Sequence, residues 1–219
     1  MHNLIQALGK QRYLCFALIG ILLIGPLLEE ELASRLVLYG LLGVVIATGP
    51  VAVARSRRAL WISLGLAFVM IVPGLFSDIA DQPVAYSIST VAAVAFFGHL
   101  AVLLTKELLF DVADVDEETL WGAVNVYLLI GLCFAFMFAA VSLYDPQSFV
   151  GKFMDQPLHD QIQGFVYFSF VTMTTLGYGD ITPNNTLVAT FAYVEAVIGQ
   201  LYIAIMIARL VGLYIAKRR

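Results

Sequence analysis

Charged side chains are scarce in this sequence. Only 13% of its 219 residues are Asp, Glu, Lys or Arg, whereas soluble domains carry about a quarter. The mean hydropathy of +0.89 excludes the polar composition of disordered chains. We therefore predict an integral membrane protein in contact with lipid. The net charge of -4 gives no basis for expecting nucleic acid as a partner.

Cysteines and catalytic constellations are also few or missing. Cys15 and Cys133 lie in apolar runs and form neither a metal-binding spacing nor a disulfide framework. We interpret both as small packing residues. The sequence has no recognisable nucleotide loop, paired catalytic carboxylates or nucleophile–base pair, which predicts that the protein is not an enzyme and needs no cofactor.

Six apolar stretches are long enough, or nearly so, to cross a bilayer, which takes about 20 residues. They are Tyr13–Leu28, Glu31–Ala54, Ala59–Ser77, Pro83–Thr105, Leu120–Leu143 and Leu187–Ala216. The first follows Lys10 and Arg12 and could be a cleaved signal peptide. Because no convincing small-residue cleavage site follows it, we interpret it as a helix.

Basic and acidic loop residues predict how these spans are oriented. Basic residues cluster at 10–12, 55–58 and 217–219, whereas acidic residues occupy 29–31 and 78–81. With six spans, all three basic clusters fall on one side of the membrane. The positive-inside rule then places both termini in the cytoplasm. We expect a multi-pass protein of a bacterial plasma (inner) membrane.

The stretch TTLGYGD, residues 174–180, separates the last two apolar runs. Residues 162–174 before it are too few to span and predict a re-entrant helix. Irregular backbone at membrane depth is tolerated where protein or a water-filled cavity surrounds it, so a pore or cavity is implied. Gly177 and Gly179 can adopt positive φ, and alternating hand turns successive carbonyls to one side. Four such strands would replace the water shell of a cation, with the negative helix end near Thr174 aimed at it.

TTLGYGD resembles the selectivity-filter signature T-T-x-G-Y-G-D of potassium channels. The longer stretch FVYFSFVTMTTLGYGDITP resembles the pore helix and filter of bacterial potassium channels with an ion-channel pore module. The resemblance covers roughly residues 120–216. It implies an all-α membrane fold with six transmembrane helices per subunit and a re-entrant pore helix and filter loop between helices 5 and 6. One filter strand per chain cannot surround an ion, so we expect a cyclic homotetramer.

The same resemblance implies a division of the chain. A four-helix domain covers residues 1–110, an acidic, amphipathic linker 111–119 and a pore domain 120–219. Within the pore domain lie the outer helix (120–143), turret (144–161), pore helix (162–174), filter (175–179) and inner helix (187–216). We expect no soluble regulatory domain after the inner helix.

The resemblance to potassium channels also implies roles for particular residues. Potassium, the permeant ion, would be coordinated by the backbone carbonyls of Thr175, Leu176, Gly177 and Tyr178 and by the Thr175 hydroxyl. Gly179 would end the filter, and Tyr167 would hydrogen-bond Asp180 behind the outer mouth. Many relatives have tryptophan where this chain has Tyr167, and valine or isoleucine where it has Leu176.

Other interpretations of the filter segment remain open. The glycines could form a plain turn between two helices, or line a weakly selective cation channel. The rival from another class is a secondary transporter or a non-conducting membrane subunit. Transporters usually contain two related halves, each with a broken helix, whereas only one half of this sequence has a re-entrant segment.

Three residues are candidates for gating. An inner-helix glycine acts as a gating hinge in the resembling channels, so Gly199 is either a hinge or a site of close packing. Glu195 shares its face and is expected to brace the pore helix through Ser169 or Thr172, with or without a role in gating. His99 is either a pH sensor or a neutral packed residue.

The helices before the pore lack the charges of a voltage sensor. Residues 82–105 contain no Lys or Arg, which predicts that this domain is not a conventional voltage sensor. Residues 106–121 suit an amphipathic interfacial helix. Asp114 and Glu117 resemble a capping box for the next helix.

Overall fold

The computed structural model describes residues 11–24, 32–53, 56–80, 83–112, 115–154, 156 and 158–217. Its helices are α1 (Gln11–Ile24), α2 (Leu32–Val53), α3 (Arg57–Ala80), α4 (Pro83–Lys106), α5 (Glu117–Tyr144), α6 (Leu158–Met173) and α7 (Thr186–Lys217). α4 continues as a π-helical turn, Glu107–Asp111. Two short strands are β1 (Phe149–Gly151) and β2 (Ile181–Pro183).

Within the part of the chain that the structure describes, four helical segments are long and apolar enough to cross a membrane. They are Arg57–Leu75, Pro83–Phe110, Glu117–Tyr144 and Thr186–Leu213. Helices suit a bilayer because they satisfy every backbone polar group within the segment. The first two expected spans contain shorter apolar stretches, Gln11–Ile24 and Gly40–Ala52, in the described residues. The count of six spans therefore stays a prediction.

The chain divides into two compact units. The first unit consists of Met1–Gly65, Gly98–Leu129 and Met206–Arg219, and the second of Leu66–Phe97 and Ile130–Ile205. Four helices, α3, α4, α5 and α7, contribute residues to both. The filter segment and α6 belong to the second unit.

In the first unit, polar side chains join the start of α1 to its neighbours. Asn125 of α5 is fully buried, and its Nδ2 donates to the Gln11 carbonyl at 2.8 Å and to the Gln11 Oε1 at 3.0 Å. Gln11 Nε2 donates in turn to the Ala52 carbonyl of α2 at 3.2 Å. Glu118 accepts hydrogen bonds from the Gln11 N–H at 2.7 Å and from Arg12 Nε and a terminal nitrogen at 3.1 and 2.9 Å. These bonds hold α1 against α5.

The connection from α4 to α5 differs from the sequence-based expectation. In place of a separate interfacial helix over 106–121, α4 runs into the π turn, and the chain becomes extended at Val112. The expected capping box is wrong, because α5 begins at Glu117 and Asp116 caps it. The Asp116 Oδ1 accepts hydrogen bonds from the Thr119 N–H at 2.8 Å and the Thr119 hydroxyl at 2.6 Å, which satisfies a donor of the first helical turn. Asp114 lies outside the described residues.

The core of the second unit is aromatic. Phe138 of α5, Phe149 of β1 and Phe165 and Phe168 of α6 are buried and pack edge to face, with ring centroids 5.0–5.8 Å apart. Such tilted pairs are favoured by the ring quadrupole. This cluster fixes α6 against α5.

The second unit also contains a two-stranded antiparallel sheet, which the all-α expectation lacked. β1 pairs with β2 in the register Phe149 to Pro183, Val150 to Thr182 and Gly151 to Ile181. The sheet joins the segment after α5 to the segment that follows the filter. It therefore fixes the distance between the segment that precedes α6 and the segment that follows residues 175–179.

Replacing Asn125 with alanine should destabilise the first unit. The substitution leaves the Gln11 carbonyl without its buried donor, which costs about 1–2 kcal/mol. Thermal unfolding in detergent should show a lower midpoint for Asn125→Ala than for wild type. Val124→Ala, at an exposed neighbouring position, is the control. Equal midpoints for the two variants would show that the bond contributes nothing.

Candidate functional site

α6 ends in a series of hydrogen bonds that fold the chain back on the helix. With 16 residues, α6 falls short of the length needed to span a bilayer. The Thr174 N–H donates to the Phe170 carbonyl at 3.0 Å. The N–H groups of Leu176 and Gly177 both reach the Val171 carbonyl, at 2.9 and 3.4 Å. The chain thus leaves the helix as an irregular strand, residues 175–179, called here the filter strand.

The backbone of the filter strand alternates in hand. φ is positive at Thr175 (62°), Gly177 (56°) and Gly179 (77°) and negative at Leu176 and Tyr178 between them. The two glycines were expected to behave in this way. Thr175 was expected as an ion ligand, but its positive φ was missed, because a β-branched residue rarely adopts positive φ. Gly177 and Gly179 are two residues apart, and the same spacing counted back from Gly177 points to position 175.

This alternation leaves the filter carbonyls free of protein donors. Among the described residues, no hydrogen bond is accepted by a backbone carbonyl of the filter strand. The N–H groups of its first three residues, 175–177, by contrast, donate to the Thr172 and Val171 carbonyls of α6. A Cβ added at Gly177 or Gly179 would meet nothing within 4 Å. A single chain therefore presents an exposed strand whose carbonyl oxygens are available to a ligand.

A tyrosine and an aspartate meet at the C-terminal end of the filter strand. The Tyr167 hydroxyl donates to the Asp180 Oδ2 at 2.9 Å, the contact expected from the sequence. The Tyr167 ring lies parallel to that of Tyr178, with centroids 6.4 Å apart. Desolvation and then the bond to Asp180 raise the pKa of Tyr167. Tyr167 therefore keeps its proton at neutral pH and remains the donor.

The β1–β2 sheet also contacts this C-terminal end, at the Asp180 carbonyl. The Lys152 N–H donates to the Asp180 carbonyl at 3.2 Å. Gly151, with φ of 137°, lies so close that an added Cβ would be 2.1 Å from the Asp180 carbonyl oxygen. Only glycine fits there. The sequence analysis missed Gly151, because close approach to a distant backbone segment leaves no local signal.

Two asparagines that follow β2 bond to the segment between α5 and β1. The Asn185 Oδ1 accepts from the Val188 N–H at 2.9 Å and so caps α7, while its Nδ2 donates to Asp145 at 2.9 Å. The Asn184 N–H donates to the Ser148 carbonyl at 2.8 Å. The pair Asn184-Asn185 directly before an apolar run is a helix-start signal that could have identified the cap.

Behind the filter strand, Glu195 of α7 joins three helices. Glu195 and Ser169 are both fully buried, and the Ser169 hydroxyl lies within hydrogen-bonding distance of the Glu195 Oε1. The same hydroxyl lies 2.7 Å from the Gly131 carbonyl of α5. Of the two expected partners, Ser169 is the one in contact. Glu195 therefore braces α6 at a point that also touches α5.

One helical turn further along α7, Gly199 packs against the end of α6. A Cβ at Gly199 would lie 2.4 Å from the Met173 Cγ and 2.8 Å from the Met173 carbonyl oxygen. The Gln200 Nε2 donates to that same oxygen at 3.2 Å. Close packing is therefore present at Gly199, and the hinge stays a prediction. Gln200 was missed, since an exposed glutamine carries no specific sequence signal.

His99 belongs to the first unit rather than to the unit that contains the filter strand. It lies partly buried on α4, and its Nε2 is buried without a hydrogen-bond partner among the described residues. Both interpretations of His99, as a pH sensor and as a neutral packed residue, therefore stay predictions.

Comparison with known proteins identifies the same region. Residues 146–215 match a family model described as ion channel. This segment contains the filter strand, Glu195 and Gly199. A stretch of 54 residues is 40% identical to two-pore potassium channel 3 of Arabidopsis thaliana, which is 25% of this chain and 12% of that relative. The chain thus spans a small part of the relative's length. No solved structure matches the chain.

The ion channel match and the apolar helices together indicate a membrane protein with an ion channel region. The match covers less than half of the chain. The activity of the whole protein is therefore a proposal, made below.

Adding a methyl group at Gly199 should disturb the end of α6. Overpacking against Met173 costs about 1–3 kcal/mol, because neither the backbone carbonyl nor the helix can move freely. We expect Gly199→Ala to lower the unfolding midpoint. Gly212→Ala on the same helix, where a Cβ meets nothing within 4 Å, should leave it unchanged or slightly raised. A Gly199→Ala protein as stable as Gly212→Ala would contradict the packing described here.

Substitutions at Glu195 should separate hydrogen bonding from mere space filling. Glutamine retains a side-chain oxygen and a donor near Ser169, whereas alanine removes both and leaves a cavity. Glu195→Ala should therefore cost about 2 kcal/mol or more of unfolding free energy, and Glu195→Gln less than half of that. Equilibrium unfolding in detergent is the measurement. Equal losses for the two variants would argue against a hydrogen-bonding role.

Proposed function

We propose that the protein is a potassium-selective channel that conducts K⁺ passively down its electrochemical gradient. The proposal rests on two observations. φ is positive at residues 175, 177 and 179, and the carbonyls of the filter strand accept no hydrogen bond among the described residues. Oxygen dipoles stacked along a pore replace the hydration shell of a potassium ion. The ion then hops in single file between neighbouring sites.

The hydroxyl groups of the two threonines support this assignment. The Thr174 hydroxyl donates to the Phe170 carbonyl at 2.6 Å and is thus committed to α6. Among the described residues, no hydrogen bond involves the Thr175 hydroxyl, which leaves it for the ion. The proposed ligands are this hydroxyl and the carbonyls of Thr175, Leu176, Gly177 and Tyr178.

The filter strand implies that four chains assemble. One chain provides one strand, and a ring of oxygens around an ion requires several, related by cyclic symmetry. The side chains of Leu176 and Tyr178 are 59% and 67% exposed in the isolated chain, which suits burial by neighbouring copies. We propose a homotetramer of six-span subunits in a plasma membrane, with both termini in the cytoplasm.

The proposed channel is not conventionally voltage-gated. α4 is the fourth proposed span, and it carries no Lys or Arg before Lys106 in its last turn. Each elementary charge crossing the membrane potential contributes about 2.3 kcal/mol per 100 mV. A helix without charges gains none of this energy, so the opening stimulus acts elsewhere.

Ion flux from purified protein in liposomes tests the proposal. Vesicles loaded with potassium and diluted into sodium should show a potassium efflux that barium blocks. Equal permeation of sodium would favour the weakly selective cation channel instead. Absence of flux from protein shown to be tetrameric, at every pH and voltage tried, would favour a non-conducting subunit.

A substitution at Gly177 links that flux to the filter strand. Alanine at a φ of 56° is strained by about 1–2 kcal/mol, so Gly177→Ala should reduce flux about 5- to 30-fold. Gly43→Ala is the matched control, because its Cβ also meets nothing within 4 Å and its φ is not positive. Unchanged flux through Gly177→Ala would rule out conduction along this strand.

A further inference from the structure

A serine hydroxyl of α6 makes two close contacts within the second unit. The Ser169 Oγ lies 2.7 Å from the Gly131 carbonyl oxygen of α5 and within hydrogen-bonding distance of the Glu195 Oε1 of α7. The side chains of Ser169 and Glu195 are both fully buried. Bulk water therefore does not compete for either contact.

The two helices α5 and α6 approach closely here because position 131 has no side chain. A Cβ added at Gly131 would lie 2.6 Å from the Cζ of Phe170, the residue that follows Ser169. Glycine thus lets the Ser169 hydroxyl reach the Gly131 carbonyl. Two oxygens at 2.7 Å are at the usual separation of an O–H···O hydrogen bond, so a proton lies between them.

The protons available to these three groups decide how they are bonded. A serine hydroxyl has one proton to donate and two lone pairs that accept, whereas a backbone carbonyl only accepts. The Ser169 proton is therefore directed at the Gly131 carbonyl. The Ser169 oxygen then accepts a proton from Glu195, and an ionised carboxylate has none to give.

The opposite arrangement is unfavourable on two counts. If Ser169 donated to an ionised Glu195, the Ser169 and Gly131 oxygens would face each other at 2.7 Å with no proton between them. The second carboxyl oxygen, Glu195 Oε2, is buried and has no hydrogen-bond partner among the described residues. An unpaired oxygen of a buried charged group costs far more than the unpaired carbonyl oxygen of a neutral acid.

In the second unit, no positive charge is placed to neutralise an ionised Glu195 among the described residues. Lys152 is the only Lys or Arg in the sequence of this unit, and its side chain is exposed. His159 precedes Ser169 by ten residues on α6, or about 15 Å along the helix axis. The titratable group close to Glu195 is the Cys133 thiol of α5, which carries no positive charge in any form.

We infer that Glu195 is a neutral carboxylic acid in the folded protein and donates its proton to Ser169, which donates in turn to the Gly131 carbonyl. Glu195 is thus a positioning residue for α6, and its part in conduction rests on the proposed channel function. Ser169 precedes Val171, the acceptor for the filter strand, by two residues. The neutral acid holds α6 at this point without adding a fixed negative charge close to the filter strand.

A ¹³C NMR spectrum of the full-length protein in liposomes, with the carboxyl carbon of glutamate labelled, tests for the proton directly. The chemical shift of this carbon differs between a carboxylic acid and a carboxylate. At neutral pH, the wild-type spectrum should contain a carboxylic acid resonance that is missing from Glu195→Gln. If the resonance missing from Glu195→Gln is that of a carboxylate, Glu195 is ionised and the inference is overturned.

A substitution of Ser169 tests the acceptor of this proton. Ser169→Ala removes the oxygen to which Glu195 donates, so the carboxylic acid resonance of Glu195 should shift. Thr172→Val is the matched control, because its hydroxyl is the other partner expected from the sequence and has no hydrogen bond to Glu195 among the described residues. No shift in Ser169→Ala, or an equal shift in Thr172→Val, would overturn the bond between Glu195 and Ser169.

Single-channel currents separate this inference from the proposed function. Removal of a charge would alter potassium current most in dilute salt, where screening is weakest. The ratio of unitary currents in Glu195→Gln and wild type should therefore be the same in dilute and in concentrated potassium salt. A ratio that falls on dilution would overturn the neutral acid. If the wild-type protein conducts no potassium but shows the carboxylic acid resonance of Glu195, the neutral acid stands and the channel function is wrong.

Discussion

The carbonyl of Val171 is the acceptor on which the filter strand depends. It receives the N–H groups of Leu176 and Gly177, so two donors of the strand are directed at α6. The carbonyls consequently have no donor among the described residues, and positive φ at alternate positions allows them to share one side. In the single chain residues 175–179 are exposed, so these carbonyls are open to water or to an ion.

The helix that carries Val171 is fixed along its length. Near its middle, Ser169 contacts Glu195 of α7 and the Gly131 carbonyl of α5. At its end, the Met173 carbonyl accepts a bond from Gln200 and packs on Gly199. Movement of α7 would therefore act on α6 and, through Val171, on the filter strand. This arrangement connects α7 to the filter strand by contacts within one unit.

Much of this site follows from local sequence signals. Long apolar runs predict spanning helices, and glycines at a spacing of two predict the alternating strand. The contact between Tyr167 and Asp180 followed from a resemblance in the motif. The remaining features arise from contacts between residues that are far apart in the sequence, so no short stretch of sequence reveals them. Strands of three residues are too short for a periodic pattern, and Gly151 is required by the distant Asp180 carbonyl. The π turn and the Asp116 cap depend on how the chain passes from α4 to α5.

The most direct test of potassium selectivity is the reversal potential of single channels with potassium on one side of a bilayer and sodium on the other. The filter strand described here predicts a reversal potential far from zero, with current carried by potassium until the applied voltage strongly opposes it. A reversal potential near zero would show that sodium passes equally well. The carbonyls of residues 175–178 would then not form a selective set of potassium sites.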